Sequence, residues 1–456
     1  MKIKDFKGKR VTVMGIGLHE GGKGVIKFFH QIGAKVLATD LRTPHQLRES
    51  LLALKDLTGI KYVLGQHRPE DFINTDLVIK NPAVPDDSKF LKIAKDHQIP
   101  IETDMGIFFE LCPAPIIGVT GTRGKSTTAT LIAKFLSQKY RNVVLAGNIR
   151  SSVLLQLPKI KPVRNRRFLN GVNKETLVVL ELSSWQLEGL LKHRKSPQIA
   201  VITNIMPDHL NRYKGMKDYI EAKKIIFKFQ SKKDWLILNE EDPIVRKFAK
   251  ETKSRVIFFN RNQAKKYKTL LIGKHNLSNL AAALVVAKLF KIPEKKIQKV
   301  LKNFKGLAGR LELIAEIKGV KYINDTSATI PEATIVALNT LTNHLSGHLI
   351  LIAGGADKNL NFEKLAEVII RKIKILILLE GTATDKLEKA VKLQIADCKL
   401  QIERTNNMKE AVRLATQQAR VGDIVLLSPA CASFGLFRHE FERGEAFKRS
   451  VLELKR

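Results

Sequence analysis

One arrangement of residues occurs three times in this chain: a short aliphatic run, a glycine turn, and a stretch with helical periodicity. A helix that follows a buried strand through a tight turn packs back onto a mainly parallel sheet. The runs begin at Arg10, Pro115 and His348, and their turns contain Gly15 and Gly17, Gly121 and Gly124, and Gly354 and Gly355. We therefore predict an α/β protein with three domains.

The domain boundaries are predicted from segments rich in proline and glycine. Residues 110–115 contain two prolines before the second unit, and residues 305–309 have the sequence Lys-Gly-Leu-Ala-Gly. Such segments mark loops and linkers. We predict a Rossmann-like domain at residues 1–104, a central P-loop ATPase-type domain at 105–305, and a second Rossmann-like domain at 306–456.

Composition indicates a soluble, cytoplasmic globular protein. The 456 residues are 44% hydrophobic, but no apolar run approaches the roughly 20 residues that span a bilayer. The start of the chain lacks the apolar stretch and cleavage site of a secretory signal. Cys112, Cys398 and Cys431 show no CxxC spacing, so neither a disulfide framework nor a zinc site is expected.

The formal net charge of +35 invites a nucleic acid or an anionic membrane surface as partner. Lysine and arginine are, however, spread over every segment, and aromatic residues make up only 6% of the chain. A nucleic-acid partner and membrane insertion are therefore not expected. A basic surface also favours capture of small polyanions such as nucleotides, so the charge alone does not select a function.

The strongest local motif is Gly-Val-Thr-Gly-Thr-Arg-Gly-Lys-Ser-Thr at residues 118–127, between a buried strand and a helix. Backbone N–H groups of such a turn surround a phosphate, the lysine reaches the β and γ oxygens, and the serine hydroxyl can bind Mg²⁺. The spacing departs from GxxxxGK[ST], because Val119 stands at the first glycine position. The residues predicted to bind ATP are Gly121, Thr122, Arg123, Gly124, Lys125, Ser126 and Thr127. The alternative is an ordinary turn without a ligand.

The next segment, Leu-Glu-Leu-Ser-Ser-Trp-Gln-Leu-Glu at residues 180–188, places an acid at the end of a strand. A carboxylate there is a sensible Mg²⁺ ligand, although Glu181 could instead pair with a lysine. The variant phosphate turn resembles that of the Mur ligases and folylpolyglutamate synthases. The 180–188 segment, and Ser-Pro-Ala-Cys-Ala-Ser at residues 428–433, resemble motifs of the D-glutamate-adding Mur ligases.

The resemblance implies a site for two Mg²⁺ ions beside the triphosphate. Residues 204–209 match the family's Asn-x-x-x-Asp-His, in which the histidine, here His209, binds the second ion. Lys223 matches a lysine that is carbamoylated in the family, which turns a cation into a metal-binding carboxylate. The expected catalytic residues are Lys125, Glu181, His209 and Lys223, and the expected metal ligands are Ser126, Glu181, His209 and carbamoylated Lys223. An ordinary structural histidine and a solvated lysine pair remain the alternatives.

Further contacts to ATP are implied from two more segments. The segment that begins at Gly273 resembles the family's Gly-x-His-Asn-x-x-Asn-x-x-Ala-Ala, in which the second asparagine contacts adenine. Asn276 and Asn279, three residues apart, share one helix face, or alternatively they only cap the helix. Arg310 and Asp325 match family residues that contact the phosphates and the ribose.

The resemblance also assigns residues to the other two substrates, UDP-N-acetylmuramoyl-L-alanine and D-glutamate. Gly17, Asp40, Arg42 and Thr43 lie where the family holds the UDP group, although an aspartate like Asp40 would bind a dinucleotide ribose in a dehydrogenase. Asn148, Ser183, Gln186, Thr329, Lys358, Ser433 and Phe434 complete the predicted substrate contacts. The chain departs from the family at Gly309, Ser327 and Gly435, and Ser327 replaces a lysine that grips the incoming amino acid.

The implied reaction is ATP-dependent amide formation through an acyl phosphate, by a monomer whose domains close over the substrates. Three alternatives remain open. One is a related ligase with another acceptor or amino acid, including a folylpolyglutamate-type enzyme. A second is a basic, nucleic-acid-associated nucleoside triphosphatase. The third is an inactive scaffold, suggested by the three departures.

Overall fold

The structure is a computed structural model that describes residues 2–18, 20–149, 152–161, 176–208, 212–342, 347–394 and 400–455. It contains three sheets, each flanked by helices, so the predicted α/β class is confirmed. The chain divides into two compact units, Met1–Lys268 with His275–Leu301 and Thr269–Lys274 with Lys302–Arg456. None of the described helices has the length and apolarity needed to cross a membrane.

The first sheet is parallel, with strand order β3-β2-β1-β4-β5. Its strands are β1 (Arg10–Met14), β2 (Lys35–Asp40), β3 (Lys61–Leu64), β4 (Leu77–Lys80) and β5 (Ile101–Glu102). The associated helices are α1 (Glu20–Gln31), α2 (Arg48–Leu52), α3 (Glu70–Ile73), α4 (Lys89–Asp96) and α5 (Asp104–Leu111), after a 3₁₀ turn at Ile3–Phe6. A Cβ on Gly22 would lie 2.2 Å from the Ile16 carbonyl oxygen, so glycine lets α1 approach the end of β1.

The second sheet is also parallel, with strand order β11-β10-β9-β6-β8-β7. Its strands are β6 (Ile116–Thr120), β7 (Asn142–Gly147), β8 (Thr176–Glu181), β9 (Ile199–Ile202), β10 (Trp235–Asn239) and β11 (Arg255–Phe259). Its helices are α6 (Lys125–Leu136), α7 (Ser184–Glu188), α8 (Met216–Lys228), α9 (Lys274–Leu289) and α10 (Glu294–Asn303), with 3₁₀ turns at Leu154–Lys159, Val245–Lys250 and Arg261–Ala264. Every residue of β6, β8 and β9 is buried, as expected for central strands covered on both faces.

The third sheet has strand order β12-β13-β17-β14-β15-β16 and is parallel except for the pair β12 and β13. Its strands are β12 (Glu312–Ile317), β13 (Val320–Asn324), β14 (Leu349–Gly354), β15 (Ile373–Leu379), β16 (Gln401–Thr405) and β17 (Ile424–Leu427). Its helices are α11 (Pro331–Thr342), α12 (Glu363–Lys372), α13 (Thr384–Lys392), α14 (Met408–Gln418) and α15 (Glu440–Glu453). Alternate residues of β14 join two apolar cores, one on each face of the sheet.

Candidate functional site

The phosphate loop lies at the carboxyl end of β6, in the middle of the second sheet. Strands β8 and β9 flank β6, and Val119 of β6 is in register with both Glu181 of β8 and Val201 of β9. Loops that follow neighbouring parallel strands emerge at the same edge of a sheet, where ligands of open α/β sheets bind. The sheet therefore brings the phosphate loop and Glu181 to one edge.

Two glycines of the loop have backbone conformations and surroundings that exclude a side chain. Gly121 has φ +145°, and a Cβ there would lie 1.9 Å from the Thr203 hydroxyl oxygen. Gly124 has φ +82°, and a Cβ there would lie 2.1 Å from Oδ1 of Asn279. Left-handed φ values favour glycine, so both positions depend on its lack of a Cβ.

The residues that follow β9 hold the loop through its backbone. Asn204 Oδ1 accepts a hydrogen bond from the Arg123 N–H at 2.9 Å, and its Nδ2 donates to the Arg123 carbonyl at 3.1 Å. The Thr203 hydroxyl donates to the same carbonyl at 2.6 Å. These three hydrogen bonds hold the backbone of the loop at Arg123.

Helix α6 begins at Lys125, with Gly124 as its N-cap, so Ser126 and Thr127 lie in its first turn. The N–H groups of a first helical turn have no intrahelical partners and attract anions. Lys125 Nζ donates to the carbonyls of Gly121 and Thr122, at 3.0 and 2.9 Å. The predicted ATP-binding residues from Gly121 to Thr127 thus run from the end of β6 into the first turn of α6.

Glu181, at the end of β8, is 2% exposed and has an unsatisfied oxygen. Its Oε1 accepts a hydrogen bond from Nδ2 of Asn148 at 3.1 Å. Its Oε2 has no hydrogen-bond partner among the described residues. A buried carboxylate oxygen without a donor is costly, whereas a cation beside it would compensate the charge. Glu181 therefore fits a metal ligand, and no lysine of the described residues forms an ion pair with it.

Lys223, on α8, is 1% exposed and lies beneath the phosphate loop. Its Nζ donates to the Gly121 carbonyl at 3.0 Å and lies 4.7 Å from the centre of the Tyr219 ring. Burial lowers the pKa of the Lys223 ammonium well below its usual value, and the positive charge of Lys125 lowers that pKa further. Asp208 and Glu181 oppose the shift. A solvated lysine pair is therefore the wrong description of Lys223.

The loop after β9 is described only in part. Asp208 lies 3.8 Å from the Arg123 guanidinium, whereas His209 lies outside the described residues. Within the described ranges, no three His, Cys, Asp or Glu side chains form a group that could hold a metal ion. The predicted role of His209 stays a prediction.

Asn276 and Asn279 lie in the first two turns of α9. Asn279 is buried, and its Nδ2 donates to Oδ1 of Asn276 at 3.2 Å. The close approach of Asn279 to Gly124 puts this side chain against the phosphate loop. The structure thus brings together α9 and the loop, as expected if both contact one nucleotide.

Ser183 and Gln186 bond to each other in a capping box at the start of α7. The Gln186 N–H donates to the Ser183 hydroxyl at 3.2 Å, and Gln186 Oε1 accepts from the Ser183 N–H at 3.0 Å. Beyond them, Glu188 accepts a hydrogen bond from Arg212 at 3.0 Å, and Arg212 also donates to the Pro82 carbonyl at 2.9 Å. The 180–188 segment is thereby linked to the loop after β4.

In the first sheet, Asp40 is buried and organises the turn after β1. Its two carboxylate oxygens accept from the N–H groups of Gly17 and Arg42, each at 2.9 Å. The Thr43 N–H donates to Gln46 at 2.9 Å. The structure therefore brings these four predicted residues to the carboxyl ends of β1 and β2.

In the third sheet, three loops lie side by side because their strands are neighbours. Thr329 follows β13, Lys358 follows β14, and Ser433 follows β17. Lys358 Nζ lies 3.5 Å from the Thr329 hydroxyl. Ser433 is buried, whereas the adjacent Phe434 side chain is 57% exposed.

Asp325 directly follows β13, and its carboxylate is buried among the neighbouring loops. Oδ2 accepts from the Ser428 hydroxyl at 2.9 Å, and Oδ1 accepts from the Leu311 N–H, beside Arg310, at 3.2 Å. Burial raises the pKa of the Asp325 carboxyl to about 7. Its predicted contact with ATP stays a prediction.

Two residues that contact the phosphate loop were not predicted from the sequence. Thr203 and Tyr219 contact the phosphate loop, and Tyr219 lies 3.1 Å from the Thr122 hydroxyl. Burial raises the pKa of Tyr219 to about 12, so it remains a neutral phenol. The available signal was proximity in sequence. Thr203 directly precedes Asn204, and Tyr219 lies four residues before Lys223.

Comparison with known proteins agrees with this geometry. Residues 119–270 match the family model for the Mur ligase middle domain, and residues 309–431 match the model for the Mur ligase, glutamate ligase domain. A UDP-N-acetylmuramate–alanine ligase from Thermotoga maritima has the same fold, with TM-score 0.64 and 18% identity over 98% of this chain and 100% of that one. A pseudomurein peptide ligase from Methanothermus fervidus gives TM-score 0.56, also with 18% identity, 98% of this chain and 100% of that chain.

Full-length relatives are more informative about the subgroup. A UDP-N-acetylmuramoylalanine–D-glutamate ligase from Roseiflexus sp. is 43% identical, over 97% of this chain and 98% of the relative. The ligases of the same name from Acetivibrio thermocellus (99% and 98% covered) and Borreliella burgdorferi (100% of both) are 36% and 35% identical. The chain belongs to the Mur ligase family.

Proposed function

We propose that this protein adds D-glutamate to UDP-N-acetylmuramoyl-L-alanine with ATP, in the synthesis of peptidoglycan precursors. The observation that carries the proposal is the cluster at the edge of the second sheet. There the phosphate loop, the unsatisfied Glu181 carboxylate and the buried Lys223 amine converge within a chain that matches D-glutamate ligases along its whole length.

The first step transfers the γ-phosphoryl group of ATP to the carboxylate of the alanyl residue, which gives an acyl phosphate and ADP. The N–H groups of the loop and of the first turn of α6 bind the phosphates, and Lys125 neutralises charge on the transferred group. In the structure, Lys125 Nζ donates to the carbonyls of Gly121 and Thr122, which keeps the ammonium group at the phosphate loop. Asn276, Asn279, Arg310 and Asp325 are proposed to bind the rest of the nucleotide.

Mg²⁺ fits the donors that surround the loop. Ser126, Glu181, His209 and carbamoylated Lys223 are the proposed ligands of two ions, and the unsatisfied Oε2 of Glu181 is the feature that calls for a cation. Bound Mg²⁺ supplies positive charge against the phosphate oxygens. Asn148 orients Glu181 by donating to its other oxygen.

Lys223 is suited to carbamoylation because only a neutral amine attacks CO₂. Burial and the charge of Lys125 lower the pKa of the Lys223 ammonium, so they favour the neutral amine. The amine nitrogen forms a bond to the carbon of CO₂ and releases one proton. The resulting carbamate is an anion beside Lys125.

In the second step, the amine of D-glutamate attacks the acyl carbonyl, and phosphate leaves from a tetrahedral intermediate. Thr329, Lys358, Ser433 and Phe434 are proposed to hold the amino acid, and Ser327 leaves Lys358 as the principal cation for its carboxylates. Gly17, Asp40, Arg42 and Thr43 are proposed to bind the UDP group, and Asn148, Ser183 and Gln186 the remainder of that substrate. We further propose a cytoplasmic, monomeric enzyme.

An amino-acid screen tests the function. Purified protein is mixed with ATP, Mg²⁺ and UDP-N-acetylmuramoyl-L-alanine, and phosphate release and product mass are measured with each amino acid in turn. We expect release that depends on D-glutamate. Release with another amino acid would identify a related ligase, and stimulation of ATP hydrolysis by nucleic acid would identify a nucleoside triphosphatase. ATP binding without turnover would contradict an active enzyme.

A further inference from the structure

Arg443, on α15, is 1% exposed and is one of the largest fully buried side chains of the chain. Its Nε donates to the Thr326 hydroxyl at 3.1 Å, and Nη2 donates to the Thr326 carbonyl at 3.0 Å. Its Nη1 donates to the carbonyls of Cys431 and Ala432, both at 3.2 Å. One guanidinium group therefore ties two chain segments that lie about a hundred residues apart in sequence.

The partners of this guanidinium, in the described part of the chain, are neutral oxygens. Burial lowers the pKa of Arg443 to about 10, so the group is still protonated at neutral pH. The desolvation of a buried cation offsets much of what its hydrogen bonds contribute to stability. The role of Arg443 therefore lies in the position of the loops that its hydrogen bonds hold.

Those loops are the ones that carry the amino-acid contacts. Thr326 lies three residues before Thr329, and Cys431 and Ala432 directly precede Ser433. The third loop is joined to them, because Ala356 and Ala432 exchange two backbone hydrogen bonds of 2.9 and 3.1 Å. Ala356 lies two residues before Lys358. Arg443 is therefore connected to the first loop through Thr326 and to the other two through Ala432.

We propose that Arg443 is a positioning residue for the amino-acid substrate: its planar fork sets the spacing of the loops after β13 and β17, and through Ala356 that of the loop after β14. This inference rests on the proposed function. Arg443 is buried and acts through the loops that it holds, without touching the substrate. Lysine cannot replace Arg443. A single ammonium group cannot reach all four acceptors on the two loops, as the planar guanidinium group does.

The test compares Arg443→Lys and Arg443→Met with Phe447→Leu. Phe447 is fully buried one turn farther along α15 and packs in an apolar core, without hydrogen bonds to the loops. We expect both Arg443 variants to raise the KM for D-glutamate by about 10-fold or more, because a loop displaced by about 1 Å misplaces its contacts. The kcat at saturating D-glutamate and the KM for ATP should change less than about 3-fold.

Phe447→Leu should lower the Tm without changing that KM. The inference is wrong if Phe447→Leu raises the KM for D-glutamate as much as the Arg443 variants do, at the same loss of Tm. It is also wrong if Arg443→Lys leaves this KM unchanged. If the Arg443 variants do not fold, Thr326→Val removes one acceptor and should raise the same KM about 3-fold; an unchanged value would also overturn the inference. Absence of D-glutamyl product from the unmodified protein would instead contradict the proposed function.

Discussion

Lys223 and Lys224 are adjacent on α8, yet their ammonium groups have opposite pKa shifts. Lys223 is buried against Gly121, and burial lowers its pKa. Lys224 forms ion pairs of 2.8 and 2.7 Å with Glu221 and Glu251, and these pairs raise its pKa despite partial burial. At neutral pH, Lys223 is therefore the better nucleophile toward CO₂.

This difference predicts which lysine is carbamoylated. With ¹³C-labelled bicarbonate, we expect a carbamate signal in the ¹³C NMR spectrum of the unmodified protein and of Lys224→Ala, and none from Lys223→Arg. The signal should weaken as the pH falls, because protonation removes the neutral amine. Lys223→Ala should lose at least about 100-fold in kcat, as expected for loss of a metal ligand. Full activity of Lys223→Ala without added short carboxylates would refute the carbamate.

Asp325 makes stability depend on pH in the opposite way from an ion-paired acid. Its folded-state pKa is about 7, above the ordinary value of 3.8, because it is buried. The folded state therefore binds more protons than the unfolded state between these values, and the free energy of unfolding falls as the pH rises through this window. Asp325→Asn removes the titrating group. The Tm of the variant relative to the unmodified protein should therefore rise by several degrees between about pH 5 and about pH 8. An equal Tm difference between variant and unmodified protein at both pH values would mean that Asp325 has an ordinary pKa.

At the scale of elements, the turn between β6 and α6 depends on backbone geometry that only glycine supplies. Gly124→Ala would force a Cβ to within 2.1 Å of Asn279 at a left-handed φ. We expect a loss of about 1–3 kcal/mol in the free energy of unfolding, and an ATP affinity at least about 10-fold weaker. Gly215→Ala is the matched control, because Gly215 has an extended φ of 172° and no atom lies within 4 Å of the added Cβ. It should change neither the free energy of unfolding nor the ATP affinity. Calorimetric titration with a non-hydrolysable ATP analogue measures the affinity, and normal binding by Gly124→Ala would contradict the assigned loop.

The sequence predicted elements well where one local pattern determines them. The runs predicted to begin at Arg10, Pro115 and His348 are strands β1, β6 and β14, which begin at Arg10, Ile116 and Leu349. The antiparallel pairing of β12 with β13 was not predicted, because strand neighbours depend on packing across the whole sheet. Arg443 was missed for the same reason: its acceptors are distant in sequence, and no local motif reports them.

At the scale of the whole molecule, the net charge of +35 favours the capture of anionic substrates. ATP and a UDP-linked carboxylate are polyanions, and a basic surface raises their local concentration and rate of encounter. Salt screens such attraction over about 10 Å at 0.1 M ionic strength.

We therefore expect the KM values for both nucleotide substrates to rise about 3-fold or more when KCl increases from about 50 to about 300 mM at constant free Mg²⁺. The kcat should stay nearly constant, because charges close to the transferred phosphoryl group are shielded from bulk salt. The KM for D-glutamate, which carries one net negative charge, is the internal comparison and should rise less. Steady-state kinetics at each salt concentration, with the Tm recorded in parallel, separate screening from unfolding. Nucleotide KM values that do not respond to salt would show that the basic surface takes no part in substrate capture, and its excess of lysine would then need a cause outside this reaction.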